Sequence, residues 1–213
     1  TPTNKQSGAG IGVTTLTAGM KFSQKNYHAA GGLHGVGAAV VNALSDYLYV
    51  TIDRSGDTWN LKFIKGRTNA PIHQGETTDK HGTRLHFIPN HDIMHYPEFD
   101  TDTVRQRMHL LSYLCPGIHF SLTDKEGQIS TFFSESGTTD FIRHITQNKE
   151  TIIDTPLHFT GQYQNLQWDI AWTWTRVRGQ DIRGFTNTIP QPAGGHHVNG
   201  MLEGIWKGLR QWV

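Results

Sequence analysis

The chain has 213 residues, of which 36% are hydrophobic and 17% are charged, a composition typical of a globular protein. Its formal net charge of +1 excludes a bulk electrostatic attraction to nucleic acid or to an acidic membrane. The single cysteine, Cys115, excludes an internal disulfide framework and suits a reducing cytoplasm. No apolar run is long enough to span a bilayer, so we expect no membrane partner. The chain begins with Thr1 rather than Met, and we expect it to be processed or to be part of a longer protein.

The sequence of the first half of the chain predicts loops, two helices and three strands. Residues 1–10 are polar and indicate a loop, and a short helix follows that breaks at Gly19. A helix is predicted from the last glycine of "GGLHGVG", with Val40, Val41 and Leu44 at helical spacing. The period then changes to that of strands, which are predicted over 47–54, 58–66 and 83–88. "SGD" is a hairpin turn between the first two strands, and residues 67–82 indicate a loop.

The second half alternates helices and strands. A helix is predicted from about Thr101 until "PG" ends it, followed by a hairpin around "KEG". "TTDFIRHITQ" predicts a short helix capped by Thr138 or Thr139. Three strand candidates and a last helix complete the chain: "TPLHFTGQ", "LQWDIAWTWTRV", "IRGFTNTI" and "VNGMLEGIWKGLRQWV". The pattern predicts an α+β fold with a domain boundary in the polar stretch around residues 148–155.

The segment "GGLHGVGAAVVNAL" has four glycines in seven residues directly before a helix. Backbone amides crowd around a phosphate only where side chains do not block the approach, and a helix N-terminus adds unpaired N–H groups. The segment meets both conditions, and Lys21 and Lys25 lie upstream to supply charge. However, no Gly-Lys-Ser/Thr follows, and the spacing does not fit the dinucleotide fingerprint. From these residues alone, a phosphate cradle and a plain loop-to-helix junction both stay open.

Longer stretches resemble a known family. "LTAGMKFSQKNYHAAGGLHGVGAAVVNALSDYLYV" is similar to the ATP lid and phosphate loop of the type IIA topoisomerase ATPase subunits, the B subunits of gyrase and topoisomerase IV. "HGTRLHFIPN", "LLSYLCPGIHFSLTD" and "FTNTIPQPAGGHHVNGMLEGI" resemble later segments in the same order. "LCPG" and "HVNG" favour topoisomerase IV over gyrase. Other ATPases of the GHKL superfamily, such as chaperones, mismatch-repair proteins and sensor kinases, share this type of loop but not its residue spacing.

The resemblance implies a fold and its domains. We expect the C-terminal part of a GHKL (Bergerat) ATPase α/β sandwich, followed by the start of a ribosomal-S5-like transducer domain. The ATP-binding domain would occupy residues 1–148, with its N-terminal part missing, and the incomplete transducer would occupy residues 149–213. The chain would thus be a central fragment.

The resemblance also implies residue roles toward ATP. The backbone amides that would wrap the triphosphate belong to Gly32, Leu33, His34, Gly35, Val36 and Gly37. Lys21 would reach the phosphates, Tyr27 would lie near the adenosine, and Thr83 would help to bind the adenine. Asn42 matches the family pattern, and we interpret it as a structural residue of the helix.

Several family features do not occur in the sequence. The family's acidic general base and its magnesium-binding Asn precede the segment to which this chain corresponds, so no catalytic residue and no metal ligand are predicted here. The transducer lysine that touches the γ-phosphate follows it. Thr17, Met20 and His196 replace a lid histidine, a lid glycine and the threonine of "GGTH".

Other residue groups have simpler explanations than ligand binding. The 13 histidines form no recognised metal spacing with Cys or carboxylates. Sheet packing explains Trp168, Trp172 and Trp174 better than base stacking does. Lys207 and Arg210 on the last helix are consistent with a DNA-facing surface, but a solvated helix face is the commoner explanation.

Two functions therefore compete at the level of sequence. In the first, the parent is the B subunit of a bacterial type IIA topoisomerase that uses ATP and Mg²⁺ and forms a homodimer. It would work with the A subunit of topoisomerase IV or of gyrase, and pass DNA strands in the cytoplasm. In the second, the chain is a truncated or divergent nucleotide-binding or interaction module without hydrolytic activity. Both predict that this chain alone does not hydrolyse ATP.

Overall fold

The computed structural model describes residues 8–15, 35–95 and 98–212. The chain divides into two compact units, Thr1–Glu98 and Phe99–Val213. Both units combine helices with antiparallel strands, which confirms the predicted α+β class. The predicted domain boundary between residues 148 and 149 lies within the second unit and stays a prediction. No helix in the described part of the chain is long and apolar enough to cross a membrane.

In its described residues, the first unit places two short helices on an antiparallel sheet. Its elements are α1 (Gly8–Thr14), α2 (Gly37–Ala43), β1 (Ser45–Arg54), β2 (Asp57–Ile64), β3 (Arg67–Thr68), β4 (His73–Thr77) and β5 (Gly82–Pro89). The strand order is β3-β2-β1-β5, and β4 also pairs with β2.

The two hairpins that join β1, β2 and β3 use two-residue turns. Ser55 and Gly56 have φ of 58° and 89°, and Lys65 and Gly66 have φ of 46° and 78°. Positive φ at both central residues gives the type I′ turn, whose twist matches that of the flanking strands. The predicted "SGD" hairpin is therefore confirmed.

The core lies on one face of this sheet. Leu48 and Val50 of β1 stand directly opposite Phe63 and Leu61 of β2, and paired residues of an antiparallel sheet share a face. All four are buried, and Val13 of α1 packs against them. Helix α1 therefore covers this face.

Three expectations for the first unit are wrong in detail. Residues 67–82 contain β3 and β4, whose polar, exposed residues carry no apolar period because they lie at the sheet edge. Helix α1 begins at Gly8, within the predicted opening loop. Helix α2 begins at Gly37 as predicted, but it buries Ala39 and Asn42, whereas Val40 and Val41 are exposed. The predicted break at Gly19 lies outside the described residues.

The second unit contains three helices and three hairpins. They are α3 (Thr101–Leu114), β6 (Phe120–Thr123), β7 (Ile129–Phe132), α4 (Thr138–Thr146), β8 (Leu157–Tyr163), β9 (Leu166–Trp172), β10 (Phe185–Thr186), β11 (Ile189–Pro190) and α5 (His196–Arg210). The pairs are β6-β7, β8-β9 and β10-β11. Asp100 caps α3 by accepting a hydrogen bond from the Asp102 N–H at 3.1 Å.

The predicted threonine cap of α4 is wrong. The N-cap is Gly137, which has φ of 56°. Instead, the carboxylate of Asp140 in the first turn accepts hydrogen bonds from the Ser134 hydroxyl at 2.8 Å and the Ser136 N–H at 3.1 Å. Burial opposes ionisation of Asp140, but these hydrogen bonds and Arg143 outweigh it and lower the pKa.

Candidate functional site

The last glycines of the predicted phosphate loop form the start of helix α2. Gly35 has φ of 60°, in the left-handed region that favours glycine. Val36 is the N-cap, and its side chain makes no capping hydrogen bond. The first hydrogen bond of the helix runs from the Val40 N–H to the Val36 carbonyl at 2.9 Å. An uncapped N-terminus of this kind directs its first amides outward, which is the arrangement that anions bind.

The space beside this N-terminus is open. A Cβ built on Gly37 would meet no heavy atom of the described residues within 4 Å. The exposed residues of α2 are small or apolar: Gly37, Ala38, Val40, Val41 and Ala43. Within the described part of the chain, no side chain blocks the approach of a bound group to this backbone.

Asn42 holds helix α2 in place. Its side chain is 1% exposed. Its Nδ2 donates to the Val13 carbonyl of α1 at 2.8 Å and to the Gly66 carbonyl of the β2-β3 turn at 3.3 Å. Asn42 thus has a structural role, as expected: its side chain joins α2 to α1 and to the β2-β3 turn.

Thr83 lies on the sheet of the first unit. It belongs to β5 and stands directly opposite Ile52 of β1. Ile52 packs against the buried cluster of the first unit, so Thr83 is on the same face as the core. Its side chain is nevertheless exposed, and so is that of Leu85, the next residue on this face. The hydroxyl of Thr83 is therefore accessible on the face that carries the helices.

The other five predicted ATP-binding residues lie outside the described residues. These are Lys21, Tyr27, Gly32, Leu33 and His34, and the same holds for the departures Thr17 and Met20. Their roles stay predictions. Gly35, Val36, Gly37 and Thr83 are placed in the first unit, at an open helix N-terminus and on the helix-covered face of the sheet.

The second unit contains a histidine and tyrosine cluster between α3 and α4. His109 Nε2 and the Tyr113 hydroxyl are 2.8 Å apart, and the His109 and His144 rings meet edge to face at 4.9 Å. Burial and the neighbouring His144 lower the pKa of His109. Burial and Asp140 raise the pKa of Tyr113. Neutral side chains are therefore favoured here, as in a packed structural cluster.

The described histidines and the basic residues of α5 can be placed individually. Across residues 8–15, 35–95 and 98–212, no group of three or more His, Cys, Asp and Glu side chains could hold a metal ion. The ammonium group of Lys207 pairs with Glu203 at 2.7 Å, and the Arg210 guanidinium lies over the Trp206 ring at 5.8 Å. Both cations thus have partners on their own helix.

Sequence reasoning missed the two acceptors that orient α2. Val13 and Gly66 lie 29 and 24 residues from Asn42, so no local pattern links them. Gly66 carried one signal, because it is the glycine that ends the predicted strand 58–66. No feature of the sequence around Val13 indicates that its carbonyl accepts this bond.

Comparison with known proteins identifies relatives over most of the chain. The family model described as DNA gyrase B matches residues 137–213. The DNA gyrase B subunit of Halalkalibacterium halodurans is 36% identical over 204 residues, which are 94% of this chain and 32% of that protein. The type 2 topoisomerase B subunit of Aquifex aeolicus is 34% identical over 92% of this chain and 25% of its own length. The chain thus spans about a third or less of these relatives.

Solved structures share the fold. The 43K ATPase domain of Thermus thermophilus gyrase B, solved with an aminocoumarin, has a TM-score of 0.85 and is 23% identical over 100% of this chain and 54% of that one. The B subunit of Myxococcus xanthus gyrase has a TM-score of 0.75 at 18% identity, over 93% of this chain and 58% of that one. The fold is therefore that of gyrase B ATPase structures, as the resemblance implied. At 34% to 36% identity over more than nine tenths of its length, the chain is similar to part of the B subunits of gyrase and type 2 topoisomerase.

Proposed function

We propose that this chain is the ATP-binding part of the B subunit of a type IIA DNA topoisomerase. The observation that carries the proposal is the glycine loop, which ends in an open, uncapped helix N-terminus in a chain with gyrase B relatives. In this function, ATP binding and hydrolysis in the intact protein drive the passage of one DNA duplex through another.

The described residues fit a triphosphate. Gly35 has a positive φ, and the space beside Gly37 is open, so both glycines present backbone rather than side chain to a ligand. We assign Gly35, Val36 and Gly37 to the triphosphate, together with Gly32, Leu33 and His34 before them. Lys21 would contact the phosphates, Tyr27 the adenosine, and Thr83 the adenine. Helix dipole and amides would stabilise the phosphate charge without a catalytic side chain.

Hydrolysis of ATP requires more than a loop that binds the phosphates. In phosphoryl transfer a bound Mg²⁺ neutralises phosphate charge, and a positioned base activates water. The described residues offer no cluster suited to a metal ion. In the family, the general base and the magnesium-binding Asn belong to a segment that this sequence does not contain. We therefore propose that the chain alone binds nucleotide weakly and does not hydrolyse it.

In the intact protein, we propose a cytoplasmic homodimer of B subunits that works together with an A subunit on DNA. The motifs "LCPG" and "HVNG" favour topoisomerase IV, which decatenates DNA and relaxes supercoils. The relatives described above are named as subunits of gyrase or of type 2 topoisomerase. The A subunit of gyrase is therefore the alternative partner.

The second candidate is a nucleotide-binding or interaction module without hydrolytic activity. The replacements at Thr17, Met20 and His196 favour it, because a lid with fewer glycines closes less freely. The coding sequence upstream of Thr1 separates the two candidates. A Glu followed closely by Asp-Asn, and then by Asp-Asn-Gly-x-Gly, supports the ATPase, whereas a natural start codon near Thr1 contradicts it.

Calorimetric titration of the purified chain with ATP and Mg²⁺ tests the proposal directly. We expect weak saturable binding and no release of phosphate. Absence of binding at millimolar ATP would contradict the assignment of the loop. Phosphate release that persists through purification would show that the chain holds the catalytic groups that we place elsewhere.

A further inference from the structure

We propose that Asn42 is a positioning residue for the phosphate loop, fixing the orientation of helix α2 and hence of the Gly35–Gly37 backbone. The inference rests on the proposed function for its connection to ATP. The anchoring itself is independent of the proposed function, because it follows from the contacts of one buried amide.

The first step is the geometry of that amide. Both N–H bonds of Nδ2 are used, one toward the Val13 carbonyl at 2.8 Å and one toward the Gly66 carbonyl at 3.3 Å. Both partners only accept hydrogen bonds, so the reversed amide would set Oδ1 against two carbonyl oxygens. The orientation of the side chain is therefore determined by its surroundings.

The second step is burial. At 1% exposure, Asn42 has no water to replace a lost partner. A buried carbonyl left without its donor costs more than the hydrogen bond contributes when formed. Among the described residues, Oδ1 has no partner, so the donors of Nδ2 carry the polar contribution of this side chain. Asparagine is the fitting residue, because an aspartate has the same shape but no donor.

The third step is a steric contact at the same place. Gly66 has φ of 78°, and a Cβ on it would lie 3.1 Å from Ala43 Cα. The turn between β2 and β3 thus touches the backbone of α2 directly. The hydrogen bond from Asn42 and this contact set the distance between the helix and the sheet.

The fourth step is transmission to the loop. Asn42 is five residues after Gly37 in one continuous helix, a separation of about 7.5 Å along the axis. A short helix moves as a rigid body, so a tilt at Asn42 displaces the amides of the first turn. Catalytic and binding groups lose function when displaced by about 1 Å.

The experiment compares two asparagines of the first unit. Asn42→Ala removes the anchor, and Asn90→Ala is the matched control. Asn90 is 3% exposed, and its side chain bonds Asp46 at 2.8 Å and the Asp92 N–H at 2.8 Å. None of its side-chain bonds goes to α2. The readouts on the 213-residue chain are urea unfolding, amide hydrogen exchange over residues 37–43, and affinity for the ATP analogue adenylyl imidodiphosphate with Mg²⁺.

We expect both variants to lose stability, but only Asn42→Ala to change the helix and the site. Its exchange over residues 37–43 should rise by about tenfold or more, and its affinity should fall by about tenfold, whereas Asn90→Ala should stay within about twofold in both. Equal effects of the two variants on exchange and affinity would reduce Asn42 to an ordinary structural residue and overturn the inference.

The experiment distinguishes a failure of the proposed function from a failure of this inference. If the unsubstituted chain does not bind the analogue, the function of the loop is wrong, and hydrogen exchange alone decides whether Asn42 anchors α2. If Asn42→Ala does not fold, Gly66→Ala displaces the same helix with Asn42 intact. It should raise exchange over residues 37–43 like the first variant, and unchanged exchange would overturn the inference.

Discussion

The indole ring of Trp168 lies directly over Gly161, its partner on the neighbouring strand. A Cβ on Gly161 would be 2.2 Å from Trp168 Cζ2, which no real pair of atoms tolerates. The ring thus occupies the space that a side chain at position 161 would fill. In this way an aromatic residue compensates for a glycine within a strand. Trp168, predicted to pack within a sheet core, is nevertheless 44% exposed.

This relationship predicts that the two positions are energetically coupled. In a Trp168→Ala background, Gly161→Ala should stabilise the chain by about 0.5–1 kcal/mol, because glycine weakens a strand interior. In the unsubstituted chain the same change must displace the indole ring, so we expect no gain. Urea unfolding of the four chains measures the coupling. Equal effects of Gly161→Ala in both backgrounds would mean that the ring does not cover the glycine.

Helix α5 offers a glycine with the opposite expectation. Gly204 is in the interior of α5, and a Cβ there would meet nothing within 4 Å. Gly204→Ala should therefore raise the free energy of unfolding by about 0.5–1 kcal/mol through helix propensity alone. Thermal unfolding followed by circular dichroism measures the shift. A lower melting temperature would indicate that this side of the helix is occupied in solution.

The turn between β10 and β11 contains a strained residue. Thr188 has φ of 73°, which is costly for a β-branched side chain. Its carbonyl accepts a hydrogen bond from Arg107 Nη2 at 2.9 Å. Thr188→Gly should stabilise the chain by about 0.5–1 kcal/mol, because relief of strain exceeds the added entropy of the unfolded chain. Thr186→Gly, in the adjacent strand, is the control and should destabilise it. Destabilisation by both changes in urea would contradict the strain at residue 188.

The His109 cluster predicts a loss of stability in mild acid. Burial and His144 lower the pKa of His109 below its usual 6.5, so the unfolded chain binds more protons than the folded chain in this range. The stability is full above about pH 6.5, falls as the pH drops below that value, and levels off below the folded-state pKa. His109→Gln should flatten this dependence in melting curves between pH 5 and pH 8, where histidine titrates. His91→Gln, at an exposed histidine of the first unit, is the control. An unchanged slope in His109→Gln would exclude His109 as its source.

The glycine loop predicts a selective effect on nucleotide binding. Gly35→Ala forces a side chain into φ of 60° beside the first turn of α2, and we expect the affinity for ATP to fall by about tenfold or more. Gly56→Ala introduces the same kind of strain at φ of 89°, in the turn between β1 and β2. That control should lose stability and keep its affinity. Calorimetric titration of both variants measures the difference, and a similar loss of affinity in both would point to general destabilisation.

Much of the fold was predictable, because strongly patterned segments form local structure. "YLYVTIDR" and the strand after it carry the β-branched and aromatic residues of a buried hairpin, and their turn has a glycine where φ must be positive. The start of α2 at Gly37 followed from the glycines before it. The strands β3 and β4 were missed, since a polar edge strand has no buried face and so no alternation.

The candidate site was only partly predictable. The resemblance supplied roles for the loop residues and for Thr83, which no periodicity indicates. The support of the loop depends on tertiary contacts, and the buried face of α2 belongs to Ala39 and Asn42 rather than to its valines. A polar residue buried by long-range partners cannot be distinguished in sequence from one that faces solvent.

The anchoring of α2 also limits how far the glycine motif can be transferred to another protein by itself. The seven letters "GGLHGVG" are continuous, but the helix that follows them is held by a carbonyl from residue 13 and another from residue 66. Transplanting the motif together with its helix into another scaffold would leave Asn42 facing foreign partners. The segment that can be transferred as a unit therefore runs from α1 through β3. A graft that omits either end would keep the sequence of the loop but lose the contacts that orient its helix.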